Sequence, residues 1–169
     1  MLMAQEAKRG PAEHATSIIW TKHGCSTPAT RELDKKFKPG DFAGVSWESA
    51  AVDLATEAPI KMNARFVYWA MALKHIFSEA QEAGKWVEIP YDSFKQMARR
   101  ESQIMHDEEA RVLADIAFMA RELLKMEKEG LLRIGGSAGS PGYYPTEKLL
   151  LKVREMNSAA QKGKERVKA

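Results

Sequence analysis

From Met62 to Ala83 apolar residues return every three or four positions: Phe66, Trp69, Ala70, Leu73, Ile76, Phe77 and Ala80. That spacing places them on one face of a helix, and Val67 and Met71 widen the face enough to predict a central, deeply buried element. Gly84 follows as a left-handed stop. Lys85-Trp86-Val87-Glu88-Ile89 then alternates, which predicts a short strand ending at Pro90. Proline has no N–H to lose in a first helical turn, so a helix is predicted over Tyr91–Arg100, burying Phe94, Met97 and Ala98. The next apolar stripe is Val112, Leu113, Ile116, Ala117, Ala120, Leu123 and Leu124. It predicts one helix from Glu108 to Glu129, capped by Asp107 and stopped by Gly130, about 33 Å long.

Leu131–Ile134 and Tyr143–Pro145 flank the glycine-rich stretch 135–142, the pattern of two short strands around a turn. Thr146 can cap a last helix whose stripe is Leu149, Leu150, Val153 and Met156. Upstream the signals are weaker. Ile18-Ile19-Trp20 is the one sticky stretch in residues 1–28, where Gly10, Pro11, Gly24 and Pro28 break up any regular element. Thr30 can cap a short helix through Phe37, halted by Pro39-Gly40, and Ser46 a second one from Trp47 to Glu57, closed by Pro59. The expected organisation is a mobile N-terminal arm with a short helix (1–45), a helical domain (46–158) and a frayed basic tail (159–169). The expected fold class is mainly α with a small β-hairpin.

Composition agrees with a folded chain: of 169 residues, 44% are hydrophobic and 29% charged. The longest uninterrupted apolar run, Phe66–Leu73, falls well short of the about 20 residues a bilayer span requires, so no membrane partner is expected. No apolar segment follows Lys8-Arg9 to make a secretion signal, and a single cysteine cannot close an internal disulfide. Both point to the cytoplasm. The net charge of +3 is unevenly spread. Residues 1–40 hold seven Lys/Arg against four Asp/Glu and residues 146–169 seven against three, whereas 41–145 hold twelve against sixteen. Basic ends therefore flank a mildly acidic body.

Candidate chemistry is sparse. His23-Gly24-Cys25 invites a metal or thiol reading, but zinc wants about four ligands and no second cysteine exists. His75 sits beside the central apolar stripe and His106 just before a helix cap, positions that suit structural roles. Asp107-Glu108-Glu109 is explained by capping and the helix dipole. Glycines 135, 136, 139 and 142 do not match a phosphate-binding loop, which needs a Lys-Ser/Thr pair opening a helix. Phe66, Tyr68, Trp69, Phe77 and Trp86 could stack on bases, but their spacing is that of a core. No catalytic residue, metal site or cofactor is expected, and the chain is not expected to be an enzyme.

One stretch carries a resemblance. Leu123-Leu124-Lys125-Met126-Glu127-Lys128-Glu129-Gly130-Leu131-Leu132 is similar to the helix end that precedes the wing in bacterial regulators of the MarR and PadR kind, and Gly142-Tyr143-Tyr144-Pro145-Thr146-Glu147-Lys148 to their second wing strand. Helix, strand, helix, helix, strand, loop, strand, helix is also the order of a winged helix-turn-helix, over residues 62–156. The resemblance implies a small DNA-binding winged-helix protein, a regulator of transcription or replication of a bacterial or mobile element, acting on double-stranded DNA as a homodimer. Recognition would fall on exposed positions of 107–121, and the wing would be Arg133 through Tyr144. The cations and polar groups available are Arg99, Arg100, Ser102, Gln103, Arg111, Arg121 and Arg133. Leu149, Leu150, Val153 and Met156 would contribute to a dimer or partner seam. A second reading starts from the acidic middle: a non-enzymatic interaction module, an inhibitor or accessory subunit, docking on a protein partner.

Overall fold

The computed structural model describes residues 19–55, 62–104, 115–135 and 141–168, with side chains from 22 to 158 except 62–64. A two-stranded hairpin opens it, β1 (Ile19–Thr21) against β2 (Gly24–Ser26). Helix α1 (Pro28–Lys36) follows, then a 3-10 turn (Pro39–Phe42), α2 (Trp47–Ala55) and the long α3 (Met62–Ala83). Next come β3 (Ile89–Pro90), α4 (Tyr91–Ile104), α5 (Ile116–Lys128), β4 (Leu132–Gly135), β5 (Gly142–Pro145) and α6 (Glu147–Lys168). The molecule is mainly helical, with a three-stranded antiparallel sheet ordered β3-β5-β4. No helix of the described residues is long and apolar enough to cross a membrane.

Helix α3 lies at the centre, as its periodicity predicts. Trp69, Leu73, Ile76 and Phe77 are all but inaccessible, and the core around them draws on every later element: Phe94 and Ala98 of α4, Met119 and Leu123 of α5, Leu132 and Tyr143 of the sheet, Leu149, Leu150 and Val153 of α6. The aromatic residues that could have been a stacking platform are core: Tyr68, Trp69, Phe77 and Trp86 are buried, and Phe66 packs half-buried against them. Helix α3 ends at Gly84, whose φ of +71° is the left-handed conformation glycine tolerates best.

Residues 19–45 correct the expectation of a mobile arm; residues 1–18 lie outside the described region. Phe42 meets Phe77 and Trp86 edge-on, at 5.2 and 5.7 Å between ring centres. Trp86 donates its indole N–H to the Phe37 carbonyl and its backbone N–H to the Asp34 carboxylate. Cys25, expected in a mobile segment, is buried and pairs through its backbone with Glu88, at 3.0 and 2.7 Å. The cap of α1 is Thr27 rather than Thr30. The two threonines form a reciprocal capping box, in which Thr27 Oγ1 accepts from the Thr30 N–H and Thr30 Oγ1 from the Thr27 N–H.

Further boundaries differ, and the strand expected over Lys85–Ile89 is confined to Ile89–Pro90. Helix α4 runs four residues beyond Arg100, to Ile104. Helix α6 carries its backbone through the expected frayed tail to Lys168. The largest change is that the single helix expected over 108–129 begins at Ile116. Asp115 has φ −82° and ψ 84°, outside helical space, and its carboxylate caps α5 by accepting the Phe118 N–H at 3.0 Å. Asp107, Glu108, Glu109 and Arg111 lie outside the described residues, as do Glu57, Pro59 and His106.

Candidate nucleic-acid interface

Thirteen residues make α5, and the break at Asp115 decides which of them face outward. Its inner face is Met119, Glu122, Leu123 and Met126, all buried. Its exposed residues are Ala117, Arg121, Leu124 and Lys128. Steps of four, three and four residues keep these within one stripe of about 60° at 100° per residue. The stripe carries two cations and no carboxylate. Glu122 faces inward, and Glu127 is only half-exposed.

Glu122 explains why the stripe is out of phase with the apolar pattern. A carboxylate in the core needs a cation, and α3 supplies one from a residue that is itself buried. Arg65 is 1% exposed, its Nε lies 3.9 Å from Glu122, and its Nη2 donates to Glu129 at 2.5 Å. Its guanidinium stacks 4.3 Å over the Trp69 ring, while the Trp69 indole N–H donates to Glu122 at 3.0 Å. Lys125 closes the other side of Glu122 at 3.0 Å. Two buried charges and an indole thus lock the inner face of α5 onto α3.

Both ends of α5 are held as well. At the start, the Tyr68 and Tyr91 hydroxyls donate to the carbonyls of Asp115 and Ile116, at 2.9 and 3.1 Å. Burial, with the charge of Asp115 adding to it, pushes the Tyr68 phenol well above its usual range, so it stays protonated and remains a donor. At the far end, Gly130 takes φ +77° and donates to the Glu127 carbonyl, and Leu131 donates to Met126. The Thr146 hydroxyl donates to the Gly130 carbonyl at 2.6 Å and accepts the Leu149 N–H, so one side chain joins the end of α5 to the start of α6.

The sheet adjoins this helix. In β4, Arg133 is exposed and paired in register with Tyr144 of β5. Glu88 is buried beside them, and its carboxylate lies where a Cβ on Gly135 or Gly142 would stand, at 2.1 and 2.7 Å. A side chain at either of these strand-end glycines would force Glu88 to shift. The connecting loop, residues 136–140, lies outside the described residues.

The remaining candidates are scattered. Arg99, Arg100 and Gln103 are exposed on the last turns of α4, but the Ser102 hydroxyl turns back to the Arg99 carbonyl at 2.8 Å. Arg121 covers the Phe118 ring at 5.5 Å. Leu149, Leu150 and Val153 are fully buried in this chain's own core and Met156 packs against it, which leaves Leu151 as the exposed apolar residue on that part of α6. Ala117 and Leu124, expected on the apolar stripe, are exposed, and Lys128 was not among the expected contacts; the signal that could have placed all three was Asp115, a good N-cap ahead of a helix-period stripe. No protein-family model, curated protein or solved structure matches the chain.

Proposed function

We propose that residues 62–168 form a winged helix-turn-helix unit that binds double-stranded DNA, with α5 as the helix that enters the major groove and β4–β5 as the wing. The observation carrying this reading is the outward stripe of α5, Ala117, Arg121, Leu124 and Lys128, on a helix fixed at both ends and bearing no exposed carboxylate from Ile116 to Lys128. Support comes from topology. A helix–strand–helix–helix–strand–strand order with the last strand in the middle of the sheet is the winged-helix arrangement. Of the carboxylates in and just before this helix, Asp107-Glu108-Glu109 precede its first residue in sequence and Glu122 faces the core. Arg121 and Lys128 suit phosphate or guanine contacts, and Ala117 and Leu124 suit thymine methyl groups. Arg133 on the wing strand adds a backbone contact, and Arg99 and Arg100 are further cations. The role that fits is that of a small regulator of transcription or replication, not an enzyme.

Fluorescence anisotropy of labelled duplex DNA across a salt series tests it. Log affinity falls with log salt at a slope near −0.9 for each phosphate neutralised, so Arg121, Lys128 and Arg133 predict a slope of about −3, steepening to about −4.5 if Arg99 and Arg100 also engage. Binding that ignores salt, or none at low salt, removes the proposal.

A second reading has one observation in its favour. Phe66, Val67, Ala70, Met71 and Met97 line an apolar cleft of about 360 Å³ between α3 and α4, rimmed by Glu48, Lys74 and Glu101. A cleft of that size takes a small apolar ligand or the side chains of a protein partner. It would make the chain an accessory subunit or inhibitor if DNA binding fails.

A further inference from the structure

His23 occupies the turn between β1 and β2, a segment far in sequence from α3 but folded against its last two turns. Its Nδ1 lies 2.7 Å from Oε2 of Glu79 and 3.4 Å from Oε2 of Glu82. The three potential ligand atoms fall within 4.8 Å of one another. We propose that His23, Glu79 and Glu82 bind a divalent transition-metal ion that clamps the β1–β2 hairpin to α3.

Charge supplies the first argument. Two carboxylates face one imidazole, so even a protonated imidazole leaves a negative charge over. Among the described residues no Lys or Arg pairs with either carboxylate. A divalent cation resolves the imbalance.

Geometry supplies the second. Two ligands about 2.1 Å from a tetrahedral zinc ion sit about 3.4 Å apart. The His23–Glu82 separation already has that value. The His23–Glu79 pair would open by about 0.7 Å as the ion comes between them. Imidazole nitrogen with carboxylate oxygen is a donor set for first-row ions such as zinc, and three protein ligands leave a fourth position for water.

Rigidity and access complete the case. Gly24, with φ +149° and no room for a Cβ against the Glu88 carbonyl, sets the chain direction after His23. The Cys25–Glu88 backbone pair then holds the strand in place. Glu79 and Glu82 are three residues apart on one helix face. The side chains of His23 and Glu79 are 10% and 22% exposed and that of Glu82 is 64% exposed, so one side of the site is walled and the other open for an ion to enter.

The experiment is calorimetric titration of zinc into the chelator-treated full chain, with melting curves at saturating zinc. The wild type is expected to take one zinc per chain and to melt higher with it. His23→Ala and Glu82→Gln are each expected to weaken that binding at least about tenfold. Glu82 is exposed, so Glu82→Gln should fold normally without zinc and lose the zinc-dependent rise in Tm. A hydrogen-bonded strut predicts otherwise: no stoichiometric binding by the wild type, or binding that both substitutions leave unchanged. Either result overturns the site.

Discussion

Arg65 concentrates more of the fold's electrostatics than any other single residue described. Its guanidinium is 1% exposed and shared among Glu122, Glu129 and the Trp69 face, while its Nε and Nη1 have no hydrogen-bond partner. A buried pair of this kind contributes little when intact, but removing one partner strands the other. Arg65→Met is therefore expected to cost about 3–5 kcal/mol in urea unfolding, because it leaves Glu122 in the core. The double variant Arg65→Met/Glu122→Leu should recover most of that loss; if it is no better than the single variant, the ion pair is not what α5 rests on. His75 makes a second prediction. Burial lowers its pKa, Arg100 adds to the effect and Glu79 opposes it, and its Nε2 meets Ser93 Oγ at 2.7 Å. The unfolded chain then takes up a proton near pH 6.5 before the folded chain does. His75 consequently costs no stability above that pH, and stability should fall as pH drops below about 6.5 towards the lowered folded pKa. His75→Gln should flatten this part of the stability–pH curve relative to wild type.

At the scale of elements, α5 is defined by its ends more than by its apolar content. Asp115→Ala removes the acceptor for the Phe118 N–H and should cost about 1 kcal/mol, with Asp115→Asn retaining most of the stability. A loss no larger in Ala than in Asn would mean the cap contributes nothing. This helix also shows where sequence reading stopped. The stripe that includes Leu123 and Leu124 admits two phases. Apolar count chose the one with Leu124 inside, whereas Leu124 is 46% exposed and Glu122 is inside. Arg65 and Trp69, more than fifty positions earlier, join Lys125 in making that burial tolerable, and no local pattern reveals the two distant partners. By contrast the span of α3 and most of its buried face, Trp69, Leu73, Ile76, Phe77 and Ala80, were legible, whereas the burial of Arg65 on the same face was not. The strands flanking the glycine-rich loop were legible because the alternation there is local.

Across the whole molecule, the N-terminal segment was the least legible part. Its anchors are single contacts to distant residues: Phe42 to Phe77, Cys25 to Glu88, His23 to Glu79. Ile19 to Val45 shows no periodicity of its own beyond the nine residues of α1. Of the candidate interface, Arg99, Arg100, Arg121 and Arg133 were legible as cations and prove exposed. The stripe to which Arg121 belongs was not legible, because the helix was started at Glu108 instead of Ile116. The start of α5 at Ile116 leaves Asp107-Glu108-Glu109 outside the helix, and tertiary packing turns Glu122 away from solvent. That is why a mildly acidic body can still present a helix face with only positive charge.

The central claim is that this face, and not the basic ends of the chain, contacts DNA. Anisotropy of labelled duplex DNA with the wild type and with Arg121→Glu/Lys128→Glu at one low salt concentration tests it most directly. Both side chains are exposed, so circular dichroism should show the same fold, with at most a small drop in Tm from the lost Phe118 contact and the carboxylate near the end of α5. The account predicts that the double variant binds at least about a hundredfold more weakly and that its salt slope is shallower by about 2. Equal binding by the two proteins would contradict it and leave the tails as the source of any affinity.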